Sequence, residues 1–132
     1  MATIVIADDD PIVREIAREM LASSAHAAIL VEDGNEVIRL LEGLRIDLLV
    51  TDMLMPNMDG VELIMAVRDR YPAVKVLAIS SGGSVGASYM LKVARTLGAD
   101  ATLQKPLRLE GFLETIEALL AAAPCEPLRL AG

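Results

Sequence analysis

The chain has 132 residues, 12 Lys plus Arg against 19 Asp plus Glu, a formal charge of −7 and a pI near 4.6. That length suits one domain with its own core, and the negative field repels phosphate backbones and anionic surfaces, so neither nucleic acid nor a membrane is expected as a direct partner. Hydrophobic residues make up 54% but aromatics only 2%, so the core has to be aliphatic, and the seven methionines read as core filler.

The opening MATIVIADDD lacks the basic region and long apolar stretch of a signal peptide, and no later apolar run approaches the ~18 residues of a membrane span. The protein is therefore expected to be soluble and cytoplasmic. Within that opening, TIVIA at 3–7 reads as a first strand. Ile12, Ile16 and Met20, with Val13, Ala17 and Leu21 beside them, mark a first helix. AAILV at 27–31 is a second strand, followed by helical spacing at Val37, Ile38, Leu41 and Leu44. DLLVT at 47–51 is a third strand, with a helix through Val61, Ile64, Met65 and Arg68. VKVLAIS at 74–80 precedes a helix through Met90, Leu91, Ala94 and Leu97. DATLQ at 100–104 precedes one through Leu109, Phe112, Leu113, Ile116 and Leu120.

These are five βα units. The strands are continuously apolar rather than alternating, which implies burial on both faces and hence a parallel sheet covered by helices through right-handed crossovers. The fifth strand is the shortest and most polar and is placed at an edge. The tail PCEPLRLAG at 124–132 falls outside the pattern, so residues 1–123 are read as the domain and no second domain is expected. Cys125, the only cysteine, excludes an internal disulfide and carries no assigned role.

In an open parallel sheet ligands bind beyond the carboxyl ends of the strands. Asp8 and Asp9 follow the first strand, Asp52 the third, Ser80 closes the fourth and Lys105 follows the fifth. Glu32 and Asp33 follow the second and are placed away from the site. Three carboxylates converging within about 5 Å repel by roughly 3 kcal/mol per pair at an effective dielectric of about 20, unless protonated or neutralised. A divalent cation resolves this, and oxygen ligands without His or Cys suit Mg²⁺, which keeps positions for waters and a phosphate oxygen. Lys105 and Ser80 can contact phosphoryl oxygens, and a carboxylate can itself become an aspartyl phosphate; Asp52 is the candidate nucleophile.

Five features, the pair Asp8 and Asp9 after IVIA, DMLMPNMDG from Asp52, Ser80 closing VLAIS, Lys105-Pro106 and the spacing between them, resemble the receiver domain of two-component response regulators, close to the stand-alone chemotaxis type, over about residues 3–121. The resemblance implies a flavodoxin-like, doubly wound five-stranded sheet of order 2-1-3-4-5 with five helices. It implies that Asp52 takes a phosphoryl group from a histidine kinase or histidine phosphotransfer domain. Asp9, Asp52 and the Leu54 carbonyl would hold Mg²⁺, Asp8 would assist through water, and Lys105 and Ser80 would bind phosphoryl oxygens. It also implies a cis Lys105-Pro106 bond. The expected role is a single-domain response regulator: a phosphoacceptor rather than an enzyme, signalling by protein contacts to a downstream target, with homodimerisation through the face of the fourth helix, fifth strand and fifth helix left open.

Structural roles compete for some of these residues. Asp10 before Pro11 is assigned to capping, and Asp59 with Glu62 to a cap and its capping-box partner. His26 is read as incidental, and Ser81 is a rival to Ser80. The sequence departs from the family at Thr102, where an aromatic is usual. It also departs in the glycine-rich stretch SSGGSVGAS, where Gly82, Gly83 and Gly86 suggest a longer connection that reorders on phosphorylation. Leu54 and Gly82, flanking the path of attacking water, cannot orient it, which predicts slow self-dephosphorylation. A haloacid-dehalogenase-like phosphatase also uses a strand-end aspartate, but the acids after Lys105, namely Glu110, Glu114, Glu117 and Glu126, are spread over a helix and tail. A receiver that acts as an interaction module without phosphorylation is disfavoured by the intact acidic pair, Asp52 and Lys105.

Overall fold

Strand β1 (Thr3–Ala7) leads into α1 (Pro11–Leu21), β2 (Ala27–Val31) into α2 (Gly34–Gly43), β3 (Leu48–Asp52) into α3 (Gly60–Arg70), β4 (Lys75–Ser80) into α4 (Val85–Leu97), and β5 (Ala101–Gln104) into α5 (Leu109–Ala121). The computed structural model describes residues 1–81 and 85–122, from the backbone alone at 85–87. The strands form one parallel sheet in the order β2-β1-β3-β4-β5, as expected, with four-residue β5 at an edge.

Alternation along the strands divides the apolar side chains between two cores. Ile4, Ile6, Leu48, Val50, Leu77 and Ile79 pack under α1 and α5 with Ala17, Leu21, Phe112, Ile116 and Leu119. Val5, Ala7, Leu49, Val76 and Ala78 pack on the opposite face with Val37, Leu41, Leu63, Ile64, Val67 and Ala94. β3 and β4 are buried along their whole length, which is why their sequences do not alternate. The only phenylalanine, Phe112, has no solvent exposure.

Several helix positions depart from the sequence reading. Ile12 and Ile16 of α1 are exposed, as are Met65 of α3 and Leu109 at the start of α5. Leu44 is the residue after α2 and is also exposed, so it extends neither the helix nor its apolar stripe. Of the stretch 80–88, Ser80 ends β4 and Val85 onward is helical, so Gly86 belongs to α4. Positions 82–84, including Gly82 and Gly83 and the reordering assigned to them, lie outside the described residues, as do Cys125, Glu126 and the tail.

The caps follow from side-chain chemistry. Asp10 accepts from the Ile12 N–H at 2.9 Å with Pro11 opening α1, and Asp59 accepts from the Glu62 N–H at 3.0 Å. Asp33, beside the opposite sheet edge as expected, caps α2 by accepting from the Glu36 N–H at 3.1 Å. Gly60 is required by close approach: a Cβ there would lie 2.7 Å from the Asp52 carbonyl oxygen and 2.6 Å from the Met53 Cα, both backbone atoms. α3 can therefore begin directly beneath the loop that leaves Asp52.

Candidate functional site

The carboxyl ends of β1, β3 and β5 bring together four of the charged residues singled out in the sequence. One carboxylate oxygen from each of Asp8, Asp9 and Asp52 lies within 4.8 Å of the others. Asp8 is wholly buried and Asp52 is 6% exposed, while Asp9 faces solvent. Lys105 Nζ lies 2.8 Å from Asp8 Oδ2 and 3.5 Å from Asp52 Oδ1. Apart from that ion pair, Asp8 Oδ2 has no hydrogen-bond partner among the described residues.

Local backbone geometry sets each side chain. Asp52 is the last residue of β3 rather than the first after it, because Asp52 pairs with Ile79 and the Met53 N–H bonds the Ile79 carbonyl at 3.0 Å. Thr51 donates its hydroxyl to the Asp52 carbonyl at 2.9 Å. Asp8 continues the β1 ladder by donating its N–H to the Val31 carbonyl at 3.1 Å, and its Oδ1 accepts from the Asp10 N–H at 2.9 Å. The Lys105 N–H bonds the Ser80 carbonyl at 2.7 Å, and the following bond to Pro106 is cis, as expected. Ser80 is buried at the end of β4, between the strands that carry Asp52 and Lys105, whereas its rival Ser81 is exposed.

The electrostatics carry a deficit of positive charge. Burial, then the neighbouring Asp8 carboxylate, push the Asp52 pKa up to about 6, with Asp9 adding and Lys105 opposing. Burial works against the Lys105 ammonium, but its hydrogen bond to Asp8 and the charges of Asp52 and Asp8 outweigh that and raise its pKa. One ammonium thus pairs with two of three clustered carboxylates. Among the described residues no backbone N–H donates to the Asp52 carboxylate. The all-oxygen donor set, with Asp8 Oδ2 held only by a movable ammonium, fits a hard divalent cation.

Leu54, expected to offer its carbonyl, lies just beyond β3 with an exposed side chain. Arg14 escaped the sequence reading: its Nη1 donates to the Asp8 carbonyl at 2.7 Å and its Nη2 lies 4.0 Å from Glu32 Oε2. A cation in the first turns of a helix, where the macrodipole favours anions, was the available signal. His26 is not incidental to the fold. Its Nδ1 accepts the Ala2 N–H at 3.0 Å, so the ring proton sits on Nε2, which meets Glu117 of α5 at 3.0 Å. That brace lies at the opposite end of the sheet from the acids. Thr102 is half-buried in β5 and lines a groove of about 440 Å³ against α4.

Residues 4–117 match the family model for the response regulator receiver domain. The response regulator MprA of Mycolicibacterium vanbaalenii is 33% identical over 117 residues, which cover 89% of this chain and 49% of that protein. The chain thus spans about half the length of the curated relatives it matches. Among solved structures, chemotaxis protein CheY4 of Vibrio cholerae superposes with a TM-score of 0.78 at 25% identity, covering 90% of this chain and 98% of the other. The receiver domain of Francisella response regulator 1452 shares the fold, with a TM-score of 0.81 at 22% identity over 91% and 97% of the two chains. Among the described residues no helix is long and apolar enough to cross a membrane.

Proposed function

The chain belongs to the response regulator receiver domain family of two-component signalling, and from that premise we propose that Asp52 accepts a phosphoryl group from the phosphohistidine of a histidine kinase or phosphotransfer protein. The observation that carries this is the cluster of Asp8, Asp9 and Asp52 at the carboxyl edge of the sheet, with the Lys105 ammonium paired to Asp8 and Asp52. Asp8, Asp9, Asp52 and the Leu54 carbonyl are the groups proposed to hold Mg²⁺, which when bound neutralises carboxylate repulsion and the charge on the transferring phosphoryl oxygens.

The chain's own residues supply the rest. With its pKa raised to about 6, Asp52 is still mainly carboxylate at pH 7, so a nucleophilic oxygen is available. That oxygen forms the new O–P bond as the donor's P–N bond breaks, and the departing imidazole takes up a proton. Lys105 turns from Asp8 toward a phosphoryl oxygen, and the Ser80 hydroxyl binds another. Arg14 and the Asp10 N–H act by holding Asp8 in place. Beside Lys105 lies a hollow of about 350 Å³ lined largely by apolar groups of Val13, Ile16, Pro106 and Leu107. With exposed Ile12 on the same helix, it offers a donor protein an apolar surface next to the acceptor.

On this reading residues 1–123 form the receiver, the protein works in the cytoplasm, and it signals through protein contacts. Loss of the phosphoryl group is slow, because Leu54 offers nothing to orient water. The test is incubation with Mg²⁺ and acetyl phosphate, followed by intact mass beside an Asp52→Asn variant. Gain of one phosphoryl group, absent in the variant and abolished by chelator, is expected. No gain from acetyl phosphate or from histidine kinases would reject the acceptor role, and catalytic release of phosphate from general substrates would favour a phosphatase instead.

A further inference from the structure

Resting on the acceptor reading above, we propose that Gly34, with Asp33 before it, is a positioning residue for Mg²⁺, holding the loop of residues 53–59 although α2 contributes no residue to the acid cluster. That loop leaves Asp52 at the end of β3 and carries Leu54, whose carbonyl is one of the proposed ligands. Its own side chains hold it from one side. Met53 and Met55 are buried in the core that also takes Val31, Val37 and Leu63, and Met58 packs against that core, while Leu54 is exposed. At the α3 end the Gly60 N–H bonds the Met53 carbonyl at 3.1 Å, which closes the loop.

At the α2 side the loop is held as closely. Gly34 is buried, and a Cβ built on it would lie 2.8 Å from the Met58 carbonyl oxygen, 2.9 Å from the Met58 Cγ and 3.0 Å from its Cβ. The nearest of these atoms is backbone, so a side chain at 34 has to move the loop and not merely a flexible tip. By propensity alanine is the better helix residue; glycine at 34 answers the approach of the loop, not the needs of α2. One residue earlier Asp33 divides its carboxylate. Oδ1 accepts from the Glu36 N–H at 3.1 Å and caps α2, whereas Oδ2 accepts from Asn57 Nδ2 at 3.3 Å. Asn57 stands at a φ of +67°, a left-handed conformation that Asn tolerates better than most residues, and the link to Asp33 secures it. Between Met58 and Leu54 the backbone is stiff, because Pro56 fixes its own φ and restricts Met55. A displacement at Met58 therefore reaches the Leu54 carbonyl. Mg²⁺ demands near-ideal octahedral geometry, and residues that orient its ligands govern its affinity.

Titration of MgCl₂ into the native protein, Gly34→Ala, Asn57→Gly and Gly43→Ala, followed by calorimetry, tests this. Gly43 closes the same helix and a Cβ there meets nothing within 4 Å, so Gly43→Ala is the matched control. Gly34→Ala should bind Mg²⁺ at least about tenfold more weakly. Asn57→Gly, which keeps the left-handed backbone and removes only the link to Asp33, should bind about threefold more weakly, and Gly43→Ala as the native protein does. In EDTA the backbone amide resonances of 53–55 should already be displaced in Gly34→Ala and unchanged in Gly43→Ala, with urea unfolding to verify that each variant is folded. Phosphoryl uptake from acetyl phosphate should slow in Gly34→Ala at limiting Mg²⁺ and recover at saturating Mg²⁺, a split that a general loss of folding does not produce. Native affinity in a folded Gly34→Ala, or unmoved amides at 53–55, would overturn the proposal, as would equal weakening by Gly43→Ala. If Gly34→Ala does not fold, Asn57→Gly decides: native affinity there rejects the role. A native protein that binds no Mg²⁺ rejects the cation site itself, whereas equal binding by the native protein and Gly34→Ala rejects the positioning role alone.

Discussion

The two ends of the sheet both carry aspartates, and they treat them in opposite ways. At the amino end Asp47 accepts the Thr3 N–H at 2.9 Å while its own N–H and carbonyl bond the Thr3 carbonyl and the Lys75 N–H. Asp100 does the same between strands: its Oδ2 accepts the Val76 N–H, its N–H bonds the Val76 carbonyl, and Arg68 lies 3.8 Å away. At the carboxyl end Asp8 and Asp52 share one ammonium, and the Asp9 carboxylate beside them has no share in it. The first set closes ladders and asks for nothing further. The second is left short of positive charge, which costs stability but leaves a site that a cation and a phosphoryl group can complete.

The largest effect expected from this contrast is at the amino end. Asp100→Ala removes the acceptor of a backbone N–H and the counter-charge of Arg68, whose Nε already lacks a hydrogen-bond partner among the described residues although Nη2 donates to the Val74 carbonyl. Leaving both unpaired should cost about 2–4 kcal/mol in denaturant unfolding. The folded variant should still take a phosphoryl group on Asp52; loss of uptake with little loss of stability would break the division between the two ends. Arg68 also lies over Gly98: the φ of +113° there favours glycine, and a Cβ added to it would lie 2.8 Å from the Arg68 Cγ and Cδ.

The next effect belongs to the carboxyl end. A cation that binds only the folded state stabilises by about 2.7 kcal/mol at a hundred times its Kd. Magnesium should therefore raise the unfolding midpoint of the native protein and of Asp47→Ala alike, and EDTA should reverse it. Asp9→Asn and Asp52→Asn should lose most of that rise. Equal stabilisation of all four proteins would show that the ion binds elsewhere.

Legibility follows the same division. The strands were readable to within one residue because full burial leaves continuous apolar runs, and β3 slipped by one because Asp47 and Asp52 bracket its core equally. Asp47 proves to be the residue that closes the ladder and Asp52 the residue inside it. The acids of the carboxyl end were legible as candidates, since charged residues at strand ends stand out against apolar runs. The pairing of Lys105 with Asp8 rather than with Asp52 first was not, because it depends on which carboxylate lies deeper. The link from His26 to Glu117, 91 positions apart, had no local signal, and neither did that between Arg68 and Asp100. Long-range pairs that only tertiary packing creates leave no periodicity. Asp59, by contrast, was readable as a cap from Asp-x-x-Glu, with Glu62 as its partner.

A smaller loss is expected at Asp47, whose side chain is 32% exposed. Asp47→Ala leaves the Thr3 N–H without its side-chain acceptor, and water reaches part of the gap, so about 1.5 kcal/mol should be lost. A loss as large as that of Asp100→Ala would mean that exposure does not govern how these ladder-closing acids contribute.

The smallest effect has the opposite sign. Asp52 has a folded pKa of about 6 against an ordinary value of 3.8, so between those values the folded state binds more protons than the unfolded state and stability falls as pH rises. Above about pH 6 the penalty is complete; below about pH 4 it is absent. A displacement of that size corresponds to about 3 kcal/mol for an isolated group, but Asp52 also attracts Lys105 and is partly reached by solvent, and both reduce what removing its charge returns. Asp52→Asn should therefore be more stable than the native protein by about 1 kcal/mol at pH 7 without metal, and the advantage should shrink through pH 6 and vanish near pH 4. Denaturation across that range, with EDTA present, measures it directly. A variant less stable at pH 7, or an advantage that does not change with pH, would place Asp52 with Asp47 and Asp100 among the acids that hold the sheet together.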